Sequence, residues 1–132
     1  MASYVFNEGA EEINKGTVVW GTGTFKARLA GALPASTITD LQAVTAIGTD
    51  VELSSMVITK DDAGNRILFE AGNPSWSSIA TGSTIVCVVF YEDNGADSSH
   101  VPVCVHDVTD TPTNGGTVSL TLSSGIVFRL TC

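Results

Sequence analysis

The runs Thr84–Tyr91 (TIVCVVFY) and His100–His106 (HVPVCVH) decide the fold of this chain. Both are dense in β-branched and aromatic residues, which favour strands over helices. The acidic segment between them, Glu92–Ser99, contains Asp, Asn, Ser and Gly, which are residues typical of turns. The sequence therefore predicts a long antiparallel hairpin and an all-β protein.

A symmetric closure of this hairpin predicts its register. The expected pairs are Tyr91 with His100, Val89 with Pro102, Cys87 with Cys104 and Ile85 with His106. Such a register places the two thiols within disulfide reach, although a reducing cytosol would keep them reduced. Because Pro102 has no N–H, its strand should lie at a sheet edge or carry a bulge there.

Length and composition limit the class of protein. A chain of 132 residues is typical of one domain, so we expect a single β-sandwich domain over residues 1–132. The 6 basic and 14 acidic residues give a net charge of -8 without a basic cluster, which argues against binding to nucleic acid. An acidic surface favours a partner with a positive patch, although solubility alone would also explain it.

No stretch resembles a signal peptide or reaches the length of a membrane span, so we expect synthesis in a cytosol and no membrane partner. Three cysteines, Cys87, Cys104 and Cys132, are an odd number without metal-type spacing. They therefore do not indicate a disulfide scaffold.

Turn residues recur at short intervals, and short β-type runs lie between them. We expect strands near residues 16–20, 24–30, 51–53, 56–60, 66–70, 84–92, 100–107, 116–122 and 126–130. Eight or nine strands predict an antiparallel, jelly-roll-like sandwich, with a closed barrel as the alternative. At most one short helix is expected, best placed at residues 37–44, with a single turn at 8–14 as a second candidate.

Apolar patterning predicts which faces are buried. Val118, Leu120 and Leu122 alternate with polar residues, which indicates a half-exposed strand. Residues 85–90 are apolar on both faces, so this central strand should be covered by a second sheet on one side. A loop, a helix or another subunit should cover its other side. Trp20 and Trp76 lie at strand ends and are predicted to be core residues.

Catalytic and metal-binding patterns are weak. His100, Cys104 and His106 would share one face of a strand, but residues two apart are separated by nearly 7 Å, so we expect outward polar residues rather than a metal cluster. At a subunit interface the two imidazoles would make assembly sensitive to pH. A hydrolase around His100 lacks the Gly-x-Ser-x-Gly turn that such enzymes use.

Two acidic segments, residues 61–65 and 92–97, place oxygen-bearing side chains around a glycine. Neither has the spacing of an EF-hand loop, so turn formation is the expected role and a weak calcium site the alternative. The sequence predicts no cofactor.

The order of several motifs resembles a family of small virion structural proteins of tailed bacteriophages. The matching residues are Asn7, Gly9, Ala10 and Ile13, then Gly16–Trp20 (GTVVW), Thr24–Leu29 (TFKARL), 85–95 and Gly125–Leu130 (GIVFRL). Residues 35–64 have no counterpart in that pattern, and Cys104 and Cys132 depart from it. The resemblance implies a non-enzymatic β-sandwich in a phage particle, most simply a decoration or cement protein of the capsid, with a tail or neck component as the alternative.

The resemblance also implies partners, namely the major capsid protein and copies of this chain in a homo-oligomer such as a trimer, in a virion assembled in the host cytoplasm. Apolar residues near the start favour an arm over residues 1–8 that adds a strand to a neighbouring subunit. The candidate partner-binding residues are Tyr4, Val5, Phe6, Asp93, Asn94, Asp97 and Pro102. A third interpretation is a calcium-assisted carbohydrate-binding module that uses Trp76.

Overall fold

In the computed structural model, residues 3–131 are described, and they contain ten strands, one α-helix and one short 3-10 turn. The prediction of an all-β protein with antiparallel sheets is confirmed. The elements are β1 (Tyr4–Val5), α1 (Asn7–Lys15), β2 (Phe25–Ala30), β3 (Val51–Glu52), β4 (Val57–Asp61), β5 (Arg66–Glu70), β6 (Ser75–Trp76), β7 (Thr84–Glu92), β8 (Val101–Pro112), β9 (Val118–Ser119) and β10 (Ile126–Thr131).

The strands form three sheets. The largest has the order β1-β8-β7-β2-β3, a second has the order β10-β5-β4, and β6 pairs with β9. Eight of the nine predicted strands form, and the two that were not predicted, β1 and β6, have only two residues each. A jelly-roll arrangement stays a prediction.

The β7–β8 hairpin forms, but the predicted register is wrong. Tyr91 pairs with Pro102 and Phe90 with Cys104, which leaves Val103 as an extra residue on β8. This is the bulge that Pro102 indicated, and a second irregularity follows between Ile85 and Cys87. Because side chains alternate between faces, one extra residue moves everything beyond it to the opposite face.

Both faces of the five-stranded sheet are buried, as the apolar run of β7 predicted. One face packs against the three-stranded sheet, where Phe69 and Phe128 stack at 4.2 Å between ring centroids and Trp20 meets Phe128 edge-on. The other face is covered by the chain itself, through Leu41 and Val44 from the irregular segment 31–50 and through the N-terminal segment. Two segments of the chain itself, residues 31–50 and the N-terminal segment, therefore cover this face.

Helix α1 confirms the second helix candidate, whereas the predicted helix at residues 37–44 is wrong. That segment forms turns, because the Asp40 side chain accepts a hydrogen bond from Gln42 N and Leu41 N donates to the Asp97 carbonyl. The predicted strand at residues 16–20 is also wrong. Gly16 ends α1 in the left-handed conformation, and the turn after it directs Val18 and Trp20 into the core.

Candidate interaction surfaces

The N-terminal segment pairs with the sheet of its own chain, whereas residues 1–8 were predicted to form an arm that adds a strand to a neighbouring subunit. Tyr4 and Val5 pair with Val105 and Cys104 of β8, and Phe6 is fully buried. The Tyr4 hydroxyl donates to the Pro34 carbonyl. These contacts use the same apolar side chains that the sequence assigned to a neighbouring subunit. Residues 1 and 2 of that predicted arm lie outside the described residues.

Pro102 does not offer a partner-binding surface, because it is buried beneath α1. A Cβ on Gly9 would lie 2.6 Å from the Pro102 carbonyl oxygen and 2.7 Å from the Val103 Cα. The absence of a side chain at Gly9 thus allows the helix to touch the bulged strand. The prediction that Pro102 binds a partner is therefore wrong, while its role as the mark of a bulge is confirmed.

The loop between β7 and β8 carries the three remaining candidates, Asp93, Asn94 and Asp97, and residues 94–99 at its tip are exposed. Its backbone is held from within. Asp93 accepts a hydrogen bond from Gly95 N, and the Asn94 amide donates to the Ser99 carbonyl. Asn94 N also donates to His100 Nδ1 at 3.0 Å. The loop is therefore a well-defined exposed surface with fixed ends.

A buried arginine anchors this loop to the sheet. Arg28, on β2 and only 5% exposed, binds Asp50 at 2.9 Å and Asp97 at 2.8 Å, and it donates to the Val44 carbonyl. Burial alone would lower the pKa of Arg28, but the hydrogen bonds to the two carboxylates raise it above the usual value. The charged guanidinium therefore joins the acidic loop and the covering segment 31–50.

A second basic residue and a tyrosine complete this cluster. Lys26 lies 3.0 Å from Asp93, and the hydrogen bond from Gly95 N together with this lysine lowers the pKa of the Asp93 carboxyl. The buried Tyr91 hydroxyl donates to Asp50, and burial and this bond raise the tyrosine pKa. The sequence did not identify the anchoring cations Lys26 and Arg28, because they are distant along the chain from Asp93 and Asp97 and no local pattern connects them.

His100, Cys104 and His106 do not lie on an outward face, so that prediction is wrong. His100 is 7% exposed and packs on Tyr91. Cys104 is buried between the sheets, and His106 contacts the Phe90 ring and the Val127 carbonyl. Among residues 3–131, no group of three or more metal-binding side chains is close enough to hold an ion.

The carbohydrate-binding interpretation loses its aromatic residue, because Trp76 is 1% exposed and belongs to the core, as Trp20 does. The acidic turn at residues 61–65 is a hairpin turn between β4 and β5. There Asp61 binds Arg66 Nε at 2.7 Å and accepts from Gly64 N, and these two contacts lower its pKa. This carboxylate therefore serves the turn.

Strand β4 is a surface that the sequence analysis missed. It bounds the three-stranded sheet, and no described strand pairs with its outer edge. Val57 and Ile58 are 51% and 52% exposed, the two most exposed large apolar residues in the described part of the chain. Because Val57 and Ile58 are β-branched, they predicted the strand. The local sequence gave no sign that both faces of this strand would be exposed.

No helix within residues 3–131 is long and apolar enough to span a membrane. Comparison of the chain with family models, with curated proteins and with solved structures gave no match.

Proposed function

We propose that this chain is a non-enzymatic structural protein of a tailed-bacteriophage virion, and that it decorates or cements the capsid. The motif order described above supports the virion, since it includes Gly9 and the GTVVW and GIVFRL segments. The role would be adhesive. Weak contacts repeated over many copies stabilise a shell by multivalency, without a reaction at any one site.

The observation that carries the capsid contact is the anchored acidic loop at residues 93–99. Its exposed tip is held by Arg28 beneath it and by hydrogen bonds within it, so little conformational entropy would be lost on binding. The Asp97 carboxylate pairs with Arg28 but keeps 47% of its side chain exposed, so it suits a positive patch on the major capsid protein. A tail or neck location is the second candidate, because the same motif resemblance supports both.

Mass spectrometry of purified particles, separated into heads and tails, tests this proposal in the phage that encodes the chain. We expect the chain in heads at a copy number comparable with that of the major capsid protein. Its presence only in tails would favour the second candidate, and its absence from both fractions would overturn the virion assignment.

A matched pair of substitutions tests the loop. Ala96→Lys places a positive charge on the exposed tip without touching Asp93 or Asp97, and Ala80→Lys places the same charge on a different exposed loop. We expect reduced occupancy on capsids for Ala96→Lys alone. Equal occupancy of the two variants would contradict a capsid contact through residues 93–99.

A further inference from the structure

We infer that strand β4 pairs with β4 of a second copy of this chain, extending the three-stranded sheet across a two-fold axis. This inference concerns the purified protein and does not rest on the virion assignment. It starts from the free edge, because unpaired N–H and C=O groups on an exposed apolar strand are a template for another strand.

The other edges in the described chain are less available. Strands β1 and β3, at the ends of the large sheet, have two residues each, and the part of β8 that extends beyond β1 carries the acidic residues Asp107 and Asp110. On the opposite edge of the three-stranded sheet, the Val127 carbonyl of β10 already meets His106 of β8. Strand β4 has five residues, with no described element over its side chains at positions 57–60.

Charge favours a second copy as the occupant. Residues 57–70 and 126–131 contain three basic residues (Lys60, Arg66 and Arg129) and three acidic ones (Asp61, Asp62 and Glu70), so this sheet is neutral. The remaining segments hold three basic and eleven acidic residues, which is the whole net charge of -8. Two copies therefore meet with the least repulsion through this sheet, whereas a positively charged partner would prefer the rest of the surface.

Side-chain alternation restricts the register. A two-fold axis perpendicular to the sheet keeps the two faces of the sheet separate. Directly opposed residues must then point to the same face, so the axis lies between the two copies of one residue. Full pairing of Val57–Asp61 places Thr59 on the axis. Ile58 then lies opposite Lys60 of the second copy, where the aliphatic stem of the lysine covers it, and no like charges lie directly opposite.

The contact is small, so we expect a dissociation constant on the order of 0.1–1 mM for the isolated chain. Sedimentation velocity over a concentration series should show a reversible dimer. Ile58→Lys places two lysines opposite each other and should weaken dimerisation at least tenfold, while adding Lys60→Glu to it should restore association through opposite charges. Leu33→Lys, at an exposed apolar site in the segment 31–50 and outside the three-stranded sheet, should dimerise as the unmodified protein does.

Disulfide trapping checks the register in a Cys132→Ser background. Thr59→Cys should form a covalent dimer rapidly with oxidised glutathione, since its mate lies directly opposite. Val57→Cys should not, because its mate would be about 13 Å away along the antiparallel strand. A monomer at every concentration, no recovery in the double variant, or equal trapping of both cysteines would overturn the inference.

Discussion

Cys87 and Cys104 lie on adjacent strands of one sheet but on opposite faces of it. Cys87 belongs to the apolar cluster under the segment 31–50, and Cys104 belongs to the cluster between the sheets. Their Cα positions pair with Asp107 and Phe90, respectively. The single extra residue Val103 produces this separation, since it exchanges the faces of all residues that follow it.

We therefore expect no disulfide between Cys87 and Cys104 in the folded protein under mild oxidation. Burial raises the pKa of the Cys87 thiol to about 11 and that of Cys104 further, so both should react slowly with alkylating reagents at pH 8. Peptide mapping of non-reduced digests checks the pairing. Rapid linkage in the native state would contradict the observed register.

Arg28→Met should destabilise the fold by about 3–5 kcal/mol, because it leaves Asp50 without its buried cation. Asp97→Asn should cost much less, since the Asp97 side chain is 47% exposed and water can replace its partner. Urea unfolding of both variants measures the difference. Similar losses would show that the bond to Asp50 is not the dominant contact.

Gly9→Ala should destabilise the protein by about 1–3 kcal/mol, even though alanine favours helices, because its Cβ would meet the β8 backbone. Glu11→Ala, on the exposed face of the same helix, is the control and should change stability by less than about 0.5 kcal/mol. A Gly9→Ala protein that is more stable than the unmodified one would mean that the higher helix propensity of alanine outweighs the clash with the β8 backbone.

Phe6→Ala should cost about 3–5 kcal/mol, because the ring is fully buried against the large sheet. Leu33→Ala, at an exposed position, should have little effect. Thermal unfolding compares the two. A chain that lacks residues 1–6 would consequently lose stability as well, so poor incorporation of such a chain into particles would not demonstrate an intersubunit arm.

Acidification should destabilise the protein through His106. Burial lowers its pKa below the usual 6.5 and outweighs the hydrogen bond to the Val127 carbonyl. The unfolded chain therefore binds the proton first, and stability is lost as the pH falls through 6.5 toward the folded value, by at most about 1.4 kcal/mol per pH unit.

His106→Gln keeps a donor but does not titrate. Its unfolding free energy should vary less between pH 7.5 and 5.5 than that of the unmodified protein, as measured by urea titrations. If both proteins lose stability equally, the sensitivity to acid arises at another group.

Local sequence was sufficient for strands whose type follows from composition, as the match of β7 to residues 84–92 illustrates. It failed where a distant contact decided the outcome. The helix expected at residues 37–44 is replaced by turns partly because Leu41 N meets the Asp97 carbonyl, 56 positions along the chain. Likewise, Pro102 indicated a bulge, but nothing local gave the register on either side of it, in which Tyr91 pairs with Pro102 and Phe90 with Cys104.

The candidate site was predicted in part. The acidic loop was identified by its turn residues and is exposed, as a binding surface requires. The anchors Lys26 and Arg28 were missed, because β2 comes to lie beside the acidic loop only when it pairs with β7 in the folded sheet. Tyr4, Val5 and Phe6 showed the apolar character that was predicted, but the same character also suits the protein's own core.

Because the three-stranded sheet is neutral, charge is distributed unevenly over the protein, and an electric field would orient the molecule. Its net negative charge is carried by α1, the large sheet and the connecting loops, so the molecule has a permanent dipole moment whose positive end lies toward β4. Near a positively charged surface it would rotate before contact and arrive with the acidic side first. That torque would fade over a Debye length of about 8 Å at physiological salt, so capture should become slower and less oriented as ionic strength rises.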